Sequence, residues 1–497
     1  MKIESKIAVI IAMLITTTLT SCEDFLDQKP VSDLYTDIYW RSESDANIGL
    51  IAMYYSFSRA MASGFYDWGE MRGGNWQPNS RFGEPQRELI DHHVSNTNTA
   101  CRWSELYQTI NRANLAIKYI PNISMAPATK SRYLGEAYAV RALCYFYAVR
   151  VWGDVPVFLE PVEKFDVKEI YPSRTRREKV LDIIEADLTK AEQFLPVLTQ
   201  SSIITSTPIE TTEQYVKRTR VSKPVVYAIQ MDVYAWRHKY DMVMKVWEEK
   251  VKLLPNPTAG YGWALDPDIK GTLTQTEFNN AYHKMFDKSA ISPLAPMSRE
   301  QIFSIYYYQP ENGVNQTTQY FIAPGRSLNW TTDLIDSYQK NSSGTIIDKR
   351  YEATINTAGA RICKFYVVEP TLTTLQNPRM SDNFLPIYRY SYLNLLYAEA
   401  LNSESKMEDA ILELNKIRTR SGLSPALITD FVSPAELSDA ILNEMRIETV
   451  AEGKYWFDLV RTGNAARLGG CTNPELICLP IFRDHLLQNP NLSKILD

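Results

Sequence analysis

The 497-residue sequence lacks the motifs of the common enzyme classes. It contains no H-E-x-x-H metal motif, no phosphate-binding loop, no glycine fingerprint for dinucleotides and no G-x-S-x-G nucleophile turn. Histidine is scarce, and the adjacent pair His92 and His93 would point apart on a helix or a strand, which disfavours a metal site. We predict a protein that is not an enzyme and needs no metal or cofactor. A surface glycoside hydrolase stays an alternative, because its two carboxylates can lie far apart in sequence.

Long hydrophobic runs are missing except at the N-terminus. Residues 7–19 form an apolar stretch of about 13 residues, and Leu19-Thr20-Ser21-Cys22 follows it. The stretch is shorter than the roughly 20 residues that a membrane-spanning helix needs, so a cleaved signal is favoured. Small residues directly before a cysteine are typical of a lipoprotein signal. We therefore predict a signal peptide over residues 1–21 and a lipid on Cys22, which would be the only contact with a membrane. An ordinary signal with an incidental Cys22 is the alternative.

Cysteine is too sparse for a disulfide framework. Five cysteines remain besides Cys22, and none forms a C-x-x-C pair: Cys101, Cys144, Cys363, Cys471 and Cys478. Buried free thiols are favoured, although one disulfide between Cys471 and Cys478 stays open.

Positive charge is also in short supply. The chain has 53 Lys and Arg against 58 Asp and Glu, and its net charge from Cys22 onward is near −6. It has no basic tract of the kind that nucleic-acid binding requires. Nucleic acid is therefore excluded as a partner.

Helix signals dominate the chain that follows. Residues 132–152 are apolar almost all round, which predicts a buried helix that ends at Gly153 before Pro156. Residues 101–119 carry apolar side chains at helical spacing. Three pairs have the spacing of N-terminal capping boxes: Ser42 with Asp45, Thr175 with Glu178, and Ser433 with Glu436.

Two segments read as helical hairpins with small residues at the crossing, namely residues 224–254 and 392–421. Residues 255–382 break this pattern, because they are rich in Asn, Thr, Gly, Pro and Tyr. We predict a mostly α fold of tetratricopeptide-like helical hairpins with a loop-rich, partly irregular ligand-binding excursion. The predicted regions are 22–254, 255–382 and 383–497, which we expect to be intertwined in one compact unit.

Three groups of motifs carry a family resemblance. RALCYFY (141–147) precedes WGDVP (152–156), residues 390–402 precede NKIR (415–418), and RIE (446–448) precedes EGKYWFDLVR (452–461). Together with the lipoprotein signal, these motifs resemble the SusD/RagB family of outer-membrane nutrient-binding lipoproteins. We interpret the charges Arg446, Glu448, Asp458 and Arg461 as structural partners between helices.

Aromatic residues supply the candidates for ligand contact. Tyrosine (30) and tryptophan (10) together outnumber phenylalanine (17), and such rings can stack on a sugar while their polar edges form hydrogen bonds. Rings at helical spacing are more often core residues. Better candidates lie in polar or glycine-rich contexts: Trp68, Arg72, Asn75, Trp76, Tyr307, Tyr308, Asn329 and Trp330. Tyr261-Gly262-Trp263 is a further aromatic turn of this kind.

The resemblance implies a receptor in the outer membrane that is lipid-anchored and surface-exposed. It would capture oligosaccharides and pass them to a partner SusC-like TonB-dependent transporter. Capture of peptides is an alternative within the family's range. A protein-interaction scaffold is a further alternative, for which the candidate rings would be buried or scattered.

Overall fold

The computed structural model describes residues 39–78, 83–163, 170–196, 220–254, 263–286, 298–307, 328–356, 361–362, 364–365 and 384–496. Cys22, Tyr308 and Cys363 lie outside these residues. The lipid site and one predicted aromatic contact therefore stay predictions.

Helices make up most of the described chain, as the sequence predicts. The α-helices are α1 (Glu43–Gly69), α2 (Glu84–Ile90), α3 (Ser104–Tyr119), α4 (Pro127–Trp152), α5 (Arg177–Phe194), α6 (Lys223–Trp236), α7 (Tyr240–Val246), α8 (Gln275–His283), α9 (Thr332–Ser337), α10 (Arg350–Thr354), α11 (Tyr390–Ser403), α12 (Met407–Arg420), α13 (Pro434–Glu448), α14 (Tyr455–Arg461) and α15 (Arg483–Gln488). The strands are β1 (Trp76–Pro78), β2 (Arg174–Thr175), β3 (Gln301–Tyr306), β4 (Leu328–Trp330), β5 (Ile355–Asn356), β6 (Arg361–Ile362), β7 (Phe384–Arg389) and β8 (Ile495–Leu496).

The strands form two-stranded ribbons between the helices. β1 pairs with β4, β3 with β7 and β5 with β6 in antiparallel fashion, whereas β2 and β8 run parallel. The β1–β4 and β3–β7 ribbons tie the loop-rich excursion to the helical parts on either side of it. The irregular region is therefore anchored by backbone hydrogen bonds.

Local sequence rules correctly predict several helix ends. Ser42 Oγ accepts a hydrogen bond from Asp45 N at 3.2 Å, and the Asp45 carboxylate accepts one from Ser42 N at 2.8 Å. This is the predicted capping box of α1. Ser433 Oγ likewise accepts from Glu436 N at the start of α13. Gly153 ends α4 with a φ of 76°, a left-handed conformation that favours glycine.

The capping box predicted at Thr175 is wrong. Thr175 lies in β2, where it pairs with Leu496 of β8, and α5 begins two residues later. A residue distant in sequence caps the first turn of α5, because Arg177 N donates a hydrogen bond to Asp154 Oδ1 at 2.8 Å. The helix predicted over residues 101–119 also begins later, at Ser104, after a 3₁₀ turn at Thr99–Cys101.

The predicted helical hairpins are present. α6 packs on α7, and α11 packs on α12, α13 and α7. The turns between the helices use residues with positive φ, His238 (54°) and Ser405 (62°), which reverse the chain within a few residues. Ala398 and Ala400 of α11 are fully buried, so the neighbouring helices can approach closely.

α4 lies at the centre of the N-terminal helices, and its residues from Tyr133 to Trp152 are almost all buried, as predicted. It packs against α3 on one side and α5 on the other. Arg141 forms a bidentate ion pair with Asp187 of α5, with both distances at 2.7 Å. Such a fork satisfies both buried charges at once.

A network of buried ionic groups fills the space between β7, α13 and the turn after α13. The Arg389 guanidinium donates to Glu300 at 3.1 Å, to Glu448 at 3.0 Å and to Glu452 at 2.8 and 2.7 Å. Arg420 donates to Glu300 and Glu448 as well. Burial alone would raise the pKa of Glu448, but Arg420, Arg389 and Arg350 outweigh burial and hold this pKa well below its usual range.

Asp458 and Arg461, the other two predicted structural charges in this region, pair with each other at 2.7 Å. Arg461 also pairs with Glu399 of α11. The pair of Arg461 with Glu399 joins α14 to α11, so this signature charge lies between helices as predicted.

The C-terminal tail packs on the N-terminal half of the chain. Leu479 N donates to the Val151 carbonyl at 2.7 Å, and Arg72 Nη1 donates to the Ile477 carbonyl at 2.6 Å. β8 completes the contact through its pairing with β2. The region boundaries at residues 254 and 382 stay a prediction.

The thiols of Cys101, Cys144, Cys471 and Cys478 are free, and all but Cys478 are buried, as the sequence predicts. Across the ranges that the structure describes, no helix is both long enough and apolar enough to cross a bilayer.

Candidate functional site

Glu70, the residue that follows α1, has a buried carboxylate. Its Oε1 accepts hydrogen bonds from Ala451 N at 3.0 Å and from Trp76 Nε1 at 3.1 Å. Its Oε2 accepts one from Gly453 N at 3.0 Å. Ala451 and Gly453 belong to the turn after α13 and have positive φ angles of 61° and 64°. Glu70 therefore holds this turn against the end of α1.

Glu70 should make the protein less stable as the pH rises. Burial raises the pKa of its carboxyl to about 7, above the ordinary value of 4.5, despite the hydrogen bonds that oppose this shift. The folded chain thus keeps a proton that the unfolded chain releases, so stability is full below pH 4.5 and falls as the pH rises through 7. We expect this group to cost about 2 kcal/mol of unfolding free energy between pH 5 and pH 8.

Urea unfolding at the two pH values measures this effect. Glu70→Gln is the matched variant, because it keeps the shape of the side chain and removes the titration. Its amide nitrogen cannot accept from Gly453 N, so the variant should be less stable at pH 5 but lose less stability on going to pH 8. The same pH slope in both proteins would contradict the prediction.

Trp76 continues from this turn into the β1–β4 ribbon. In this ribbon Trp76 lies opposite Trp330, and Gln77 lies opposite Asn329. Successive side chains of a strand point to opposite faces, so the two tryptophans share the inner face and the two amides share the outer face. Gln77 is exposed, and its Nε2 donates to the Trp330 carbonyl at 3.2 Å. Thr331 N donates to the Asn75 carbonyl at 2.9 Å and closes the end of the ribbon.

Arg446 of α13 fixes the position of this ribbon. Its Nε donates to Asn75 Oδ1 at 2.7 Å, and its Nη2 donates to Asp333 Oδ2 at 2.7 Å. Its guanidinium lies over the Tyr455 ring, 5.1 Å from the centroid. The Asp333 side chain is 73% exposed, so Arg446 connects the core to the surface beside β4.

Trp68 and Arg72, two predicted contact residues, are core residues instead. Trp68 donates from Nε1 to the Ala100 carbonyl at 2.8 Å, and its ring packs edge-on against Trp152. Arg72 is 2% exposed, stacks on Trp456 at 4.2 Å and donates to the carbonyls of the C-terminal tail. The glycine-rich context suggested a surface loop. The small residues instead let the backbone turn inward against the C-terminal segment.

Asn75, Trp76 and Tyr307 are also buried, which corrects their predicted role. Asn75 and Trp76 direct their polar atoms to Arg446 and Glu70. Tyr307 is 1% exposed, and its hydroxyl donates to the Ser58 carbonyl at 2.6 Å. A buried tyrosine or tryptophan needs a partner for its polar edge, and here the protein itself supplies it. Trp263 of the further aromatic turn is buried as well.

Among the predicted contact residues that the structure describes, Asn329 and Trp330 are the two that are partly exposed. Trp330 packs one part of its side chain against the core and keeps another part accessible. Gln77, next to Trp76, was not among the predicted residues. Strand alternation could have indicated it, because an inward Trp76 places its neighbour outward.

The arrangement supports contact with a polar, ring-shaped ligand better than bond cleavage. An aromatic ring and two amides lie on one short ribbon, and both ribbon strands are fixed to the core by Glu70 and Arg446. Two acids beside the ribbon already have partners, since Glu70 accepts from backbone N–H groups and Asp333 pairs with Arg446. Within the described ranges, no group of three or more His, Cys, Asp or Glu residues is placed to hold a metal ion.

Comparison with known proteins gives two matching family models. One, described as the SusD family, matches residues 303–474. The other, described as starch-binding associating with outer membrane, matches residues 24–212. SusD-like protein P38 of Formosa agariphila is 28% identical over 96% of this chain and 95% of its own length. SusD-like protein P25 of the same organism is 23% identical over 93% and 90%.

Solved structures share the fold over nearly the whole chain. A SusD-like protein from Bacteroides fragilis has a TM-score of 0.71 at 19% identity and covers 94% of this chain and 99% of its own. A laminarin binding SusD-like protein has a TM-score of 0.68 at 22% identity and covers 92% and 99%. The family models match both the N-terminal helices and the region of the signature charges. On this sequence and structural evidence, the chain belongs to the SusD/RagB family.

Proposed function

We propose that this protein is a lipid-anchored, surface-exposed receptor of the outer membrane that captures oligosaccharides. It would pass them to a partner SusC-like TonB-dependent transporter. The family models, one of which is described as starch-binding, and the laminarin binding relative support capture of a glycan. The signal over residues 1–21 and Cys22 support the lipid anchor. The chain would bind its ligand and release it unchanged.

The observation that carries this proposal is the β1–β4 ribbon. Among the predicted aromatic side chains that the structure describes, Trp330 is the one that is only half-buried. A tryptophan ring held at the surface by a rigid support can stack on a sugar without loss of its own freedom. Asn329 and Gln77 provide amide donors and acceptors on the other face of the ribbon, within reach of an extended chain that passes around its edge.

Capture of an extended glycan by one ring and a few amides gives modest affinity. Such affinity suits a receptor that must release its ligand to a transporter. The buried positions of Trp68, Trp76 and Tyr307 argue against a broad flat platform made of all the predicted rings. The described residues of a site on the ribbon would therefore contact only a few sugar units of the glycan.

Trp330→Ala should weaken glycan binding about tenfold or more, because the side chain contributes about 1–2 kcal/mol of apolar contact. Affinity electrophoresis of the mature chain with Cys22→Ser against plant, host and microbial polysaccharides, laminarin included, measures the binding. Trp236→Ala is the matched control, since Trp236 is a half-buried tryptophan on α6 that packs against Phe146. It should leave binding unchanged.

Each outcome of this screen has a clear meaning. Retardation by one polysaccharide that Trp330→Ala removes and Trp236→Ala keeps would support both the function and the site. Retardation that is unaffected by Trp330→Ala would refute the ribbon site. Binding to a peptide library without any retardation by glycans would favour the peptide-capturing alternative, and shortened polysaccharide would favour the hydrolase.

A further inference from the structure

The outward face of α1 carries three large apolar side chains in a row. Ile48, Ile51 and Tyr55 are 49%, 54% and 45% exposed. Their spacing of three and four residues places them on one stripe of the helix. The opposite stripe, with Leu50, Met53 and others, is fully buried in the core. α1 is therefore apolar on its solvent side as well as on its core side.

An aromatic cluster lies at the N-terminal end of the same helix. Trp40 stacks on Tyr119 of α3, with ring centroids 5.8 Å apart, and Tyr39 packs edge-on against Trp40 at 5.6 Å. Trp40 also covers Gly49 of α1, where a Cβ atom would overlap its ring. Tyrosine and tryptophan are the residues that concentrate at membrane–water interfaces, because each has an apolar body and a polar edge.

Charges around the stripe are balanced. Arg59 pairs with Glu105 at 3.4 Å, and Lys118 pairs with Glu163 at 2.5 Å. The remaining charges beside α1 are two cations, Arg41 and Arg112, and two anions, Glu43 and Asp45; Arg112 of α3 donates to the Ala52 carbonyl at 2.6 Å. A balanced surface neither attracts nor repels an anionic layer strongly, so apolar contact would dominate any binding here.

The size of the stripe helps to identify its occupant. Three side chains that are each about half exposed give an apolar patch on the order of 300 Å². A stable protein interface buries roughly 800 Å² on each partner, so the stripe alone is too small for one. A few apolar side chains and an aromatic belt suffice for a helix to rest in the headgroup region of a lipid layer.

We propose that the outer face of α1, with Ile48, Ile51 and Tyr55, rests on a lipid surface. The argument takes the lipid on Cys22 from the proposed function. Residues 23–38 connect that cysteine to Tyr39, a distance of at most about 60 Å even when fully extended. The tether therefore keeps the start of α1 near the membrane but does not orient it. Contact along α1 sets the orientation and lays the helix flat on the surface.

Flotation of the mature chain with Cys22→Ser on phosphatidylethanolamine–phosphatidylglycerol vesicles tests this contact without the lipid anchor. We expect flotation that Ile51→Asp reduces about tenfold and that persists in about 0.5 M salt, where charge attraction is screened. Leu412→Asp is the matched control, because Leu412 is an aliphatic residue of α12 that is 64% exposed. It should float like the unaltered chain. Circular dichroism verifies that the variants are folded.

The outcomes separate this proposal from the proposed function. Absence of flotation, or equal flotation of Ile51→Asp and the unaltered chain, would overturn the lipid contact whatever the glycan screen shows. A dimer in size-exclusion chromatography that Ile51→Asp dissociates, without flotation, would assign the face to a second copy of the chain. Flotation that salt abolishes would also overturn the proposal, since it would show attraction by charge.

Discussion

Arg389→Met is expected to lower the free energy of unfolding by about 3–5 kcal/mol or more. The substitution keeps the apolar stem of the side chain and removes the guanidinium. That group donates to Glu300, Glu448 and Glu452, which are all buried. Without it, three carboxylates would share the remaining cations in a site that water does not reach. Urea unfolding at pH 7 measures the loss.

The pH dependence of this loss identifies its cause. In the unaltered chain, arginines hold the pKa of Glu448 below its ordinary range, so its contribution to stability is present at neutral pH and is lost as the pH falls. In Arg389→Met the carboxylates would bind protons at higher pH, which relieves the unpaired charge. The difference in stability between the two proteins should therefore narrow as the pH falls.

Arg467→Met is the control for this substitution. Arg467 pairs with Asp439 at the surface, and both side chains are about half exposed. Removal of an exposed pair of this kind costs less than about 1 kcal/mol. If Arg389→Met and Arg467→Met lowered the free energy of unfolding equally, the buried network would stabilise the fold no more than an exposed ion pair does.

Gly453→Ala should cost about 2–4 kcal/mol of unfolding free energy. Gly453 has a φ of 64°, which is unfavourable for alanine, and a Cβ atom there would overlap the Phe65 carbonyl oxygen of α1. That oxygen is backbone and cannot rotate away. The turn would have to move, and its hydrogen bond from Gly453 N to Glu70 would be strained.

Gly463→Ala separates the two components of this cost. Gly463 has a φ of 73°, but a Cβ atom there would have no heavy atom of the described chain within 4 Å. Gly463→Ala should lower the free energy of unfolding by only about 1 kcal/mol, which is the cost of placing alanine in a left-handed backbone conformation. Thermal unfolding of both variants measures the difference, and equal melting temperatures would show that the close approach to α1 is unimportant.

Much of the helical fold could be predicted because its signals are local. Gly153 ends α4, Ser42 caps α1, and the alanines of α11 mark a close helix crossing. The capping box at Thr175 failed for a non-local reason. The segment 174–175 pairs with the last strand, and the distant Asp154, not Thr175, supplies the side-chain acceptor for the first turn of α5 by accepting from Arg177 N. Sequence spacing carries no information about such a partner.

The candidate site was harder to predict for the same reason. Trp76 and Arg72 sit in a glycine-rich segment that reads as a surface loop. Their partners, Glu70 and the carbonyls of the C-terminal tail, draw them inward, and the tail lies some 400 residues further along the chain. Trp330 and Asn329 are partly exposed on β4, and the position of this strand depends on its pairing with β1, which is distant in sequence.

The pairing of β2 with β8 has a consequence for the biogenesis of the protein. Residues 476–496 pack on the N-terminal helices, so this part of the core cannot close until those residues have been made. Contacts of such long sequence separation form slowly. If the proposed signal over residues 1–21 exports the chain, the chain must cross a membrane before it folds. The late closure of this core would keep the newly made chain in a state that can still be translocated.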